Sequence, residues 1–263
     1  MTRAARLKAT FHEKIWGSTH LEPWFPNPKS KIGEVWFTAD KQLPVLVKFL
    51  FTSENLSVQV HPDGPGGKTE MWHILRAEPG ARIALGFREP VTRAQLREST
   101  VSGEIEDLLQ WFPVKAGETY FTPARTVHAI GGGVALCEIQ QYSDITYRLY
   151  DYGRPRELHL EAAIGIADLG VHPGPSKAVV MSAGRQSLVC CEYFETELHE
   201  VAGPEYPIAG EGSPLLIFLE GSGSIAGEAF QAGEVWQVPD NAPPVVIRSN
   251  TAVRILRVGI PNA

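Results

Sequence analysis

The chain is a succession of short β-branched and aromatic runs cut apart by glycine and proline, and this punctuation limits its fold more than any other feature. Its 263 residues include 25 Gly and 20 Pro, which supply the tight turns and stops that short strands need and long helices reject. Residues 45–51 read VLVKFLF and residues 56–61 read LSVQVH. In the second run Leu56, Val58 and Val60 point one way and Ser57, Gln59 and His61 the other, because strand side chains alternate with a period of two. Helical signals are confined to a broken stretch over 92–112, with Ser102 as an N-cap ahead of Glu104 and Glu106, and to a second stretch over 158–169. The pattern predicts a mainly β fold, a sandwich or barrel with a few short helices.

An internal echo divides the chain. Residues 115–128 read KAGETYFTPARTVH and residues 231–244 read QAGEVWQVPDNAPP, so Ala-Gly-Glu recurs with a Pro six residues after the Gly. Both read as a turn feeding a strand and then a Pro-led bend, which predicts two related β-barrel units. Where the first copy has His128 the second has Pro244, so the second unit keeps the scaffold and loses a candidate ligand. The segment GVHPGPS at 170–176 reads as the linker. The expected division is residues 1–170 as the unit that carries the chemistry and residues 177–263 as a metal-free partner.

Composition excludes several classes of function. With 24 Lys and Arg against 30 Asp and Glu, a net charge of -6 offers no basic stripe for a nucleic acid. The three cysteines, Cys137, Cys190 and Cys191, lack C-x-x-C spacing and predict neither disulfides nor a thiolate metal site. No run approaches the ~18 apolar residues that span a bilayer, and the N-terminal residues lack a signal-peptide core. The expectation is a cytoplasmic protein with no membrane and no nucleic-acid partner.

Four side chains make a metal hypothesis: Gln59 and His61 on one strand face, Glu70 beyond the Gly-rich turn at 64–67, and His128 beyond Pro123. Two imidazoles, a carboxylate and an amide oxygen form a mixed nitrogen and oxygen set suited to zinc or a similar divalent ion, with one negative charge to leave the ion electrophilic. Singly, each histidine reads as an ordinary hydrogen-bonded side chain. Lys48, inside VLVKFLF, is costly to bury unless its ammonium reaches a partner. Lys68 precedes Glu70 by two and could share its face on an extended segment. Arg148 and Arg154 offer planar forks for phosphate or carboxylate oxygens, with Asp144 and Asp151 placed to hold them. His12, His20, His73, His159, His172 and His199 read as structural.

These words occur in an order that resembles the type I mannose-6-phosphate isomerases: EKIWG at 13–17, IGEVWF at 32–37, LSVQVHP at 56–62, KTEMWHIL at 68–75, the run ending at His128, and EIQQYSDITYRLYDYGR at 138–154. The likeness is strong over residues 11–169 and weak beyond. It implies a cupin fold in two jelly-roll units, one zinc ion per chain, and Gln59, His61, Glu70 and His128 as its ligands. It also implies that Lys48, Lys68, Glu138 and Arg148 are catalytic and that Ser57 and Arg154 bind substrate, with Glu138 moving the proton. The chain is similar to the short bacterial branch, with a tight turn between ligands and Ile130 where some long members carry an aromatic residue. The implied reaction interconverts mannose 6-phosphate and fructose 6-phosphate through an enediol, in a monomer or weak homo-oligomer. Isomerisation of another sugar, or non-catalytic sugar binding by a zinc-containing cupin, remain open readings.

Overall fold

The computed structural model describes residues 3–201, 203–209, 212–240 and 243–261. Their strands form four antiparallel sheets, of six, five, seven and four strands. The fold is mainly β as expected, its sheets packed in pairs, and among the described residues no single sheet closes on itself.

Residues 8–150 build the first pair. Its larger sheet runs in space through Lys8–Ser18, Ile32–Thr38, Val45–Phe51, Val134–Gln141, Glu70–Ala77 and Thr119–Thr122. The smaller runs through Tyr147–Tyr150, Val58–Val60, His128–Ile130, Arg82–Phe87 and Leu109–Pro113. Between them lies a core that includes Trp16, Leu50, Trp72, Leu85, Tyr120 and Leu136. The outer face of the smaller sheet buries Val58, Val60 and Phe87 against Leu96, Ile105 and Ile164 of the helices.

The second pair repeats this arrangement. Taken in chain order, ten strands of each unit are ordered 1-2-3-10-5-8 in the larger sheet and 4-9-6-7 in the smaller. The first unit adds Tyr147–Tyr150 beside its fourth strand, and the second receives Ala5–Arg6 beside Val235–Gln237. The repeated words fall on the same element: Gly117 and Gly233 both adopt positive φ, at 90° and 87°, ahead of Thr119–Thr122 and Val235–Gln237. A positive φ at the turn is what glycine alone takes without strain. The two larger sheets pack back to back, with Val47, Phe49 and Phe51 meeting Leu198, Ile217 and Leu256 in one core. Strand Val45–Phe51 is thus buried on both faces, which explains its unbroken apolar run.

Helices are shorter than the sequence suggested. They span Arg93–Ser102, Ile105–Leu108 and Leu160–Ile166, and the broken stretch ends as strand Leu109–Pro113. Thr92, not Ser102, is the N-cap: its hydroxyl accepts from the Gln95 amide while the Gln95 side chain accepts from the Thr92 amide. Ser102 closes that helix ahead of left-handed Gly103, so a residue suited to starting a helix stands at the end of one. None of the helices is long and apolar enough to cross a membrane.

Candidate active site

Strand register assembles the site from both sheets of the first unit. Across the smaller sheet Arg148 pairs with Gln59 and Gln59 with His128, so three predicted residues share one row. In the larger sheet Glu138 lies between Lys48 and Trp72. Glu70 is two residues before Trp72, on the same face. These two faces look at each other across a cavity of about 350 Å³. Its wall includes Lys48, Ser57, Gln59, Lys68, Glu70, Glu138 and Arg148.

At the inner end His61, Glu70 and His128, each 1% exposed, bring ligand atoms within 4.8 Å of one another. Each imidazole is oriented by a backbone carbonyl: Nδ1 lies 2.8 Å from Ile145 O in His61 and 2.8 Å from Thr126 O in His128. Nδ1 therefore carries the proton and donates it, so each Nε2 keeps a lone pair that can ligate; in His61 it now faces the Lys68 ammonium at 3.2 Å. Burial keeps both rings neutral, His61 well below its ordinary value and His128 pushed down to about 4. Glu70 divides its oxygens. Oε2 accepts from Lys68 Nζ at 2.5 Å, while buried Oε1 has no hydrogen-bond partner and lies 3.6 Å from His128 Nε2. An unpartnered carboxylate oxygen beside two imidazole lone pairs is costly in a protein interior and is satisfied by a cation. The donor set therefore fits a borderline divalent ion such as zinc.

The Gln59 amide nitrogen is 3.3 Å from His128 Nε2, and its oxygen accepts from the Ser57 hydroxyl at 3.1 Å. Rotating the amide half a turn presents its oxygen to the donor set instead, with Ser57 accepting from the nitrogen.

Above the metal ligands sits a buried charge cluster. Lys48 Nζ and Lys68 Nζ lie 3.3 and 3.7 Å from Glu138 Oε1, and Trp72 Nε1 donates to Glu138 Oε2 at 3.2 Å. Burial would raise the Glu138 pKa, but the two lysines outweigh it and hold the carboxyl well below its usual range. Burial draws Lys48 down, whereas in Lys68 the attraction of Glu138 and Glu70 overcomes burial and raises it. Lys48 meets the cost of its apolar run in two ways: the Glu138 pair, and a cation–π contact 4.5 Å above Trp36.

Arg148 donates from Nε to Ser57 Oγ at 3.3 Å and from Nη1 to Glu157 O at 2.8 Å. Arg154, unlike the other predicted residues of the pocket, is turned away. Its guanidinium donates to Asp151 Oδ1 at 2.7 Å and to Asn55 O at 2.8 Å, and it is absent from the cavity wall. Arg156 lines the cavity instead. Sequence reading passed over Arg156 because it lies two residues beyond the last recognisable word, and over Lys14 and Glu34, a wall pair 3.1 Å apart, because exposed-looking charges on alternating strands carry no signal. His73 is structural as expected, its Nδ1 2.9 Å from Thr119 Oγ1.

A mainly β scaffold with a buried two-histidine, one-carboxylate donor set at the floor of a charged cavity defines a metal-dependent enzyme. No family model matches the chain. Among curated proteins, mannose-6-phosphate isomerase of Streptococcus mutans is 31% identical over 75% of this chain and 78% of its own length. Mannose-6-phosphate isomerase ManA of Bacillus subtilis is 30% identical over 88% and 91%. The crystal structure of mannose 6-phosphate isomerase from Bacillus subtilis superposes with a TM-score of 0.88 at 26% identity, over 98% of this chain and all of that one. The chain belongs to the mannose-6-phosphate isomerase family.

Proposed function

We propose that this protein is a zinc-dependent aldose–ketose isomerase that interconverts mannose 6-phosphate and fructose 6-phosphate. The observation that carries the reading is the unpartnered Glu70 Oε1 beside two oriented imidazoles, directly below the Lys48, Lys68 and Glu138 cluster. His61, Glu70 and His128 hold one zinc ion, with the Gln59 amide oxygen as a fourth ligand. When bound, zinc supplies electrophilic stabilisation of the charge that develops on the substrate oxygens.

Isomerisation moves a proton between C1 and C2, so one base must reach both carbons. Glu138 is that base, for its Oε1 has no hydrogen-bond partner and points into the cavity wall. Lys68 and Lys48 give the reaction its timing. While they attend to Glu138 its proton affinity is low; as their N–H groups turn to the substrate oxygens, their hold loosens and the carboxylate becomes a stronger base. Arg148, fixed by Ser57, binds the substrate from the opposite sheet. Retention of this whole set favours catalysis over simple sugar binding.

In this reading residues 1–170 form the catalytic jelly-roll unit and residues 177–263 a cupin-like unit that carries no metal. The free thiols of Cys137, Cys190 and Cys191 suit a cytoplasmic enzyme, active as a monomer or weak homo-oligomer.

The test is turnover of fructose 6-phosphate by the purified protein with and without a chelator, following mannose 6-phosphate and glucose 6-phosphate. Mannose 6-phosphate formation that stops on chelation and returns with zinc is expected. Turnover indifferent to metal removal would refute the zinc mechanism, and no turnover of any hexose phosphate by zinc-loaded protein would leave a binding module.

A further inference from the structure

The segment after strand Tyr147–Tyr150 carries three arginines and one buried carboxylate, and their division of labour is unequal. Asp151 is 2% exposed. Its Oδ2 accepts from Arg156 Nε at 2.6 Å, and its Oδ1 accepts from Arg156 Nη2 at 2.5 Å and from Arg154 Nη2 at 2.7 Å. A bidentate fork of this kind fixes the plane of the Arg156 guanidinium, leaving Nη1 as the nitrogen without a hydrogen bond among the described residues. Arg154 turns the rest of its fork to the backbone, donating from Nη2 to Asn55 O and from Nε to Asp151 O. Arg148 has no carboxylate within ion-pair distance, and its Nη2 makes no hydrogen bond among the described residues. Three guanidinium groups surround the one buried carboxylate, Asp151, while Asp144 on the same wall and Glu157 beside Arg148 supply the other negative charges. Arg148 and Arg156 both line the cavity and lie close enough to repel each other. Like charges held together on a cavity wall are favourable only when an anion bridges them.

Resting on the function proposed above, we infer that Arg156 and Arg148 together grip the substrate phosphate, and that buried Asp151 is the positioning residue that aims Arg156. The placement fits the reaction. The ligands and the Glu138 cluster lie at the buried end of the cavity, whereas Arg156 is half-buried, its side chain 28% exposed. A hexose 6-phosphate carries its phosphate at the end of the carbon chain remote from C1 and C2. With the reacting carbons at the floor, the dianion meets the two forks.

Zinc-loaded variants R156Q, R154Q and D151N separate the roles, read by the KM and kcat for fructose 6-phosphate and by the affinity for inorganic phosphate measured calorimetrically. Loss of one charge-assisted contact predicts a KM for R156Q raised about 10- to 100-fold, with kcat changed by less than about threefold and phosphate binding weakened in parallel. D151N should show the same split with zinc content intact, and D151E should recover part of it. If D151N does not fold, R156K, which keeps the charge and loses the fork, should lie between wild type and R156Q. A KM and phosphate affinity for R156Q equal to wild type, or a larger KM effect in R154Q than in R156Q, would overturn the inference. Phosphate binding is measured without turnover, so a wild-type protein that binds phosphate through Arg156 yet isomerises no hexose phosphate would sink the proposed function and spare this assignment.

Discussion

The two units share one strand order, and the same register carries opposite chemistry in each. In the first, Lys48 pairs across the sheet with Glu138, and Glu138 with Trp72, which in turn pairs with Tyr120. In the second, Glu197 pairs with Arg257, Arg257 with Leu216, and Leu216 with Trp236. The repeated words align Tyr120 with Trp236, so the positions of Lys48 and Glu138 are taken by Glu197 and Arg257: an acid and a base exchanged. Around Glu197 the second unit builds a chain of hydrogen bonds, with Arg185 at 2.9 Å, His199 at 2.7 Å and the Tyr206 hydroxyl 3.1 Å beyond His199. Pro214 and Pro244 stand where register and repeat place the counterparts of Glu70 and His128. The difference teaches that a duplicated sheet pair tolerates a buried polar end in two ways. In the second unit the central carboxylate is held by Arg185 and His199; in the first, a carboxylate oxygen is left over between two imidazoles, as Glu70 Oε1 is, and that end can bind a cation.

The largest test of that contrast is a pair of histidine substitutions. H128A should lose zinc and fall below detectable turnover, whereas H199A should keep a full complement of zinc and lose about 2 kcal/mol of stability from two buried hydrogen bonds. Metal analysis and urea melts of both variants check this, and zinc loss in H199A would break the comparison. Next, E138Q should retain zinc while turnover drops about 10²- to 10⁴-fold, the range for removing a positioned base. Near-normal turnover in E138Q would return the proton-transfer role to one of the lysines.

A smaller effect separates the twin turns. Gly117 has open space where a Cβ would go, but a Cβ on Gly233 would lie 2.5 Å from Trp24 O, a backbone atom of the first unit. G117A should cost about 1 kcal/mol for the left-handed conformation alone, and G233A about 3 kcal/mol because the two units must also part. Thermal melts at equal zinc loading distinguish them. The smallest effect concerns acid stability. Burial would raise the Glu197 pKa, but the bonds from Arg185 and His199 outweigh it and set the folded value below the ordinary one. Its contribution is then fully present above about pH 5 and is lost as the pH falls through the folded value. Denaturation midpoints between pH 7 and pH 3 should decline less steeply in E197Q than in wild type.

Much of the site was legible because strand periodicity is local. Gln59 and His61 announce a shared face by their spacing, and Lys48 announces a buried partner by the apolar residues around it. The helix boundaries were less legible: Thr92 and Ser102 are both competent caps, and the tertiary contacts that extend Leu109–Pro113 as a strand beside Arg82–Phe87 leave no mark on residues 102–113 themselves. Which arginine lines the cavity was illegible for a similar reason. Arg154 and Arg156 are alike in sequence and sit on the same short loop; which one faces the cavity depends on Asp151 and on the Asn55 carbonyl, a backbone atom contributed from 99 residues away.

By itself the sequence determined the mainly β class and the repeat of the 115–128 words at 231–244, and it singled out His61, Glu70 and His128, which the structure brings together, because turn chemistry and side-chain alternation act over a few residues. Only the tertiary structure decided that the two larger sheets pack back to back, that Glu70 keeps one oxygen for a metal while Lys68 takes the other, and that Arg156 replaces Arg154 at the cavity. Those outcomes depend on which strands become neighbours, and cross-strand register between residues as far apart as Lys48 and Glu138 is set by the packing of the whole core.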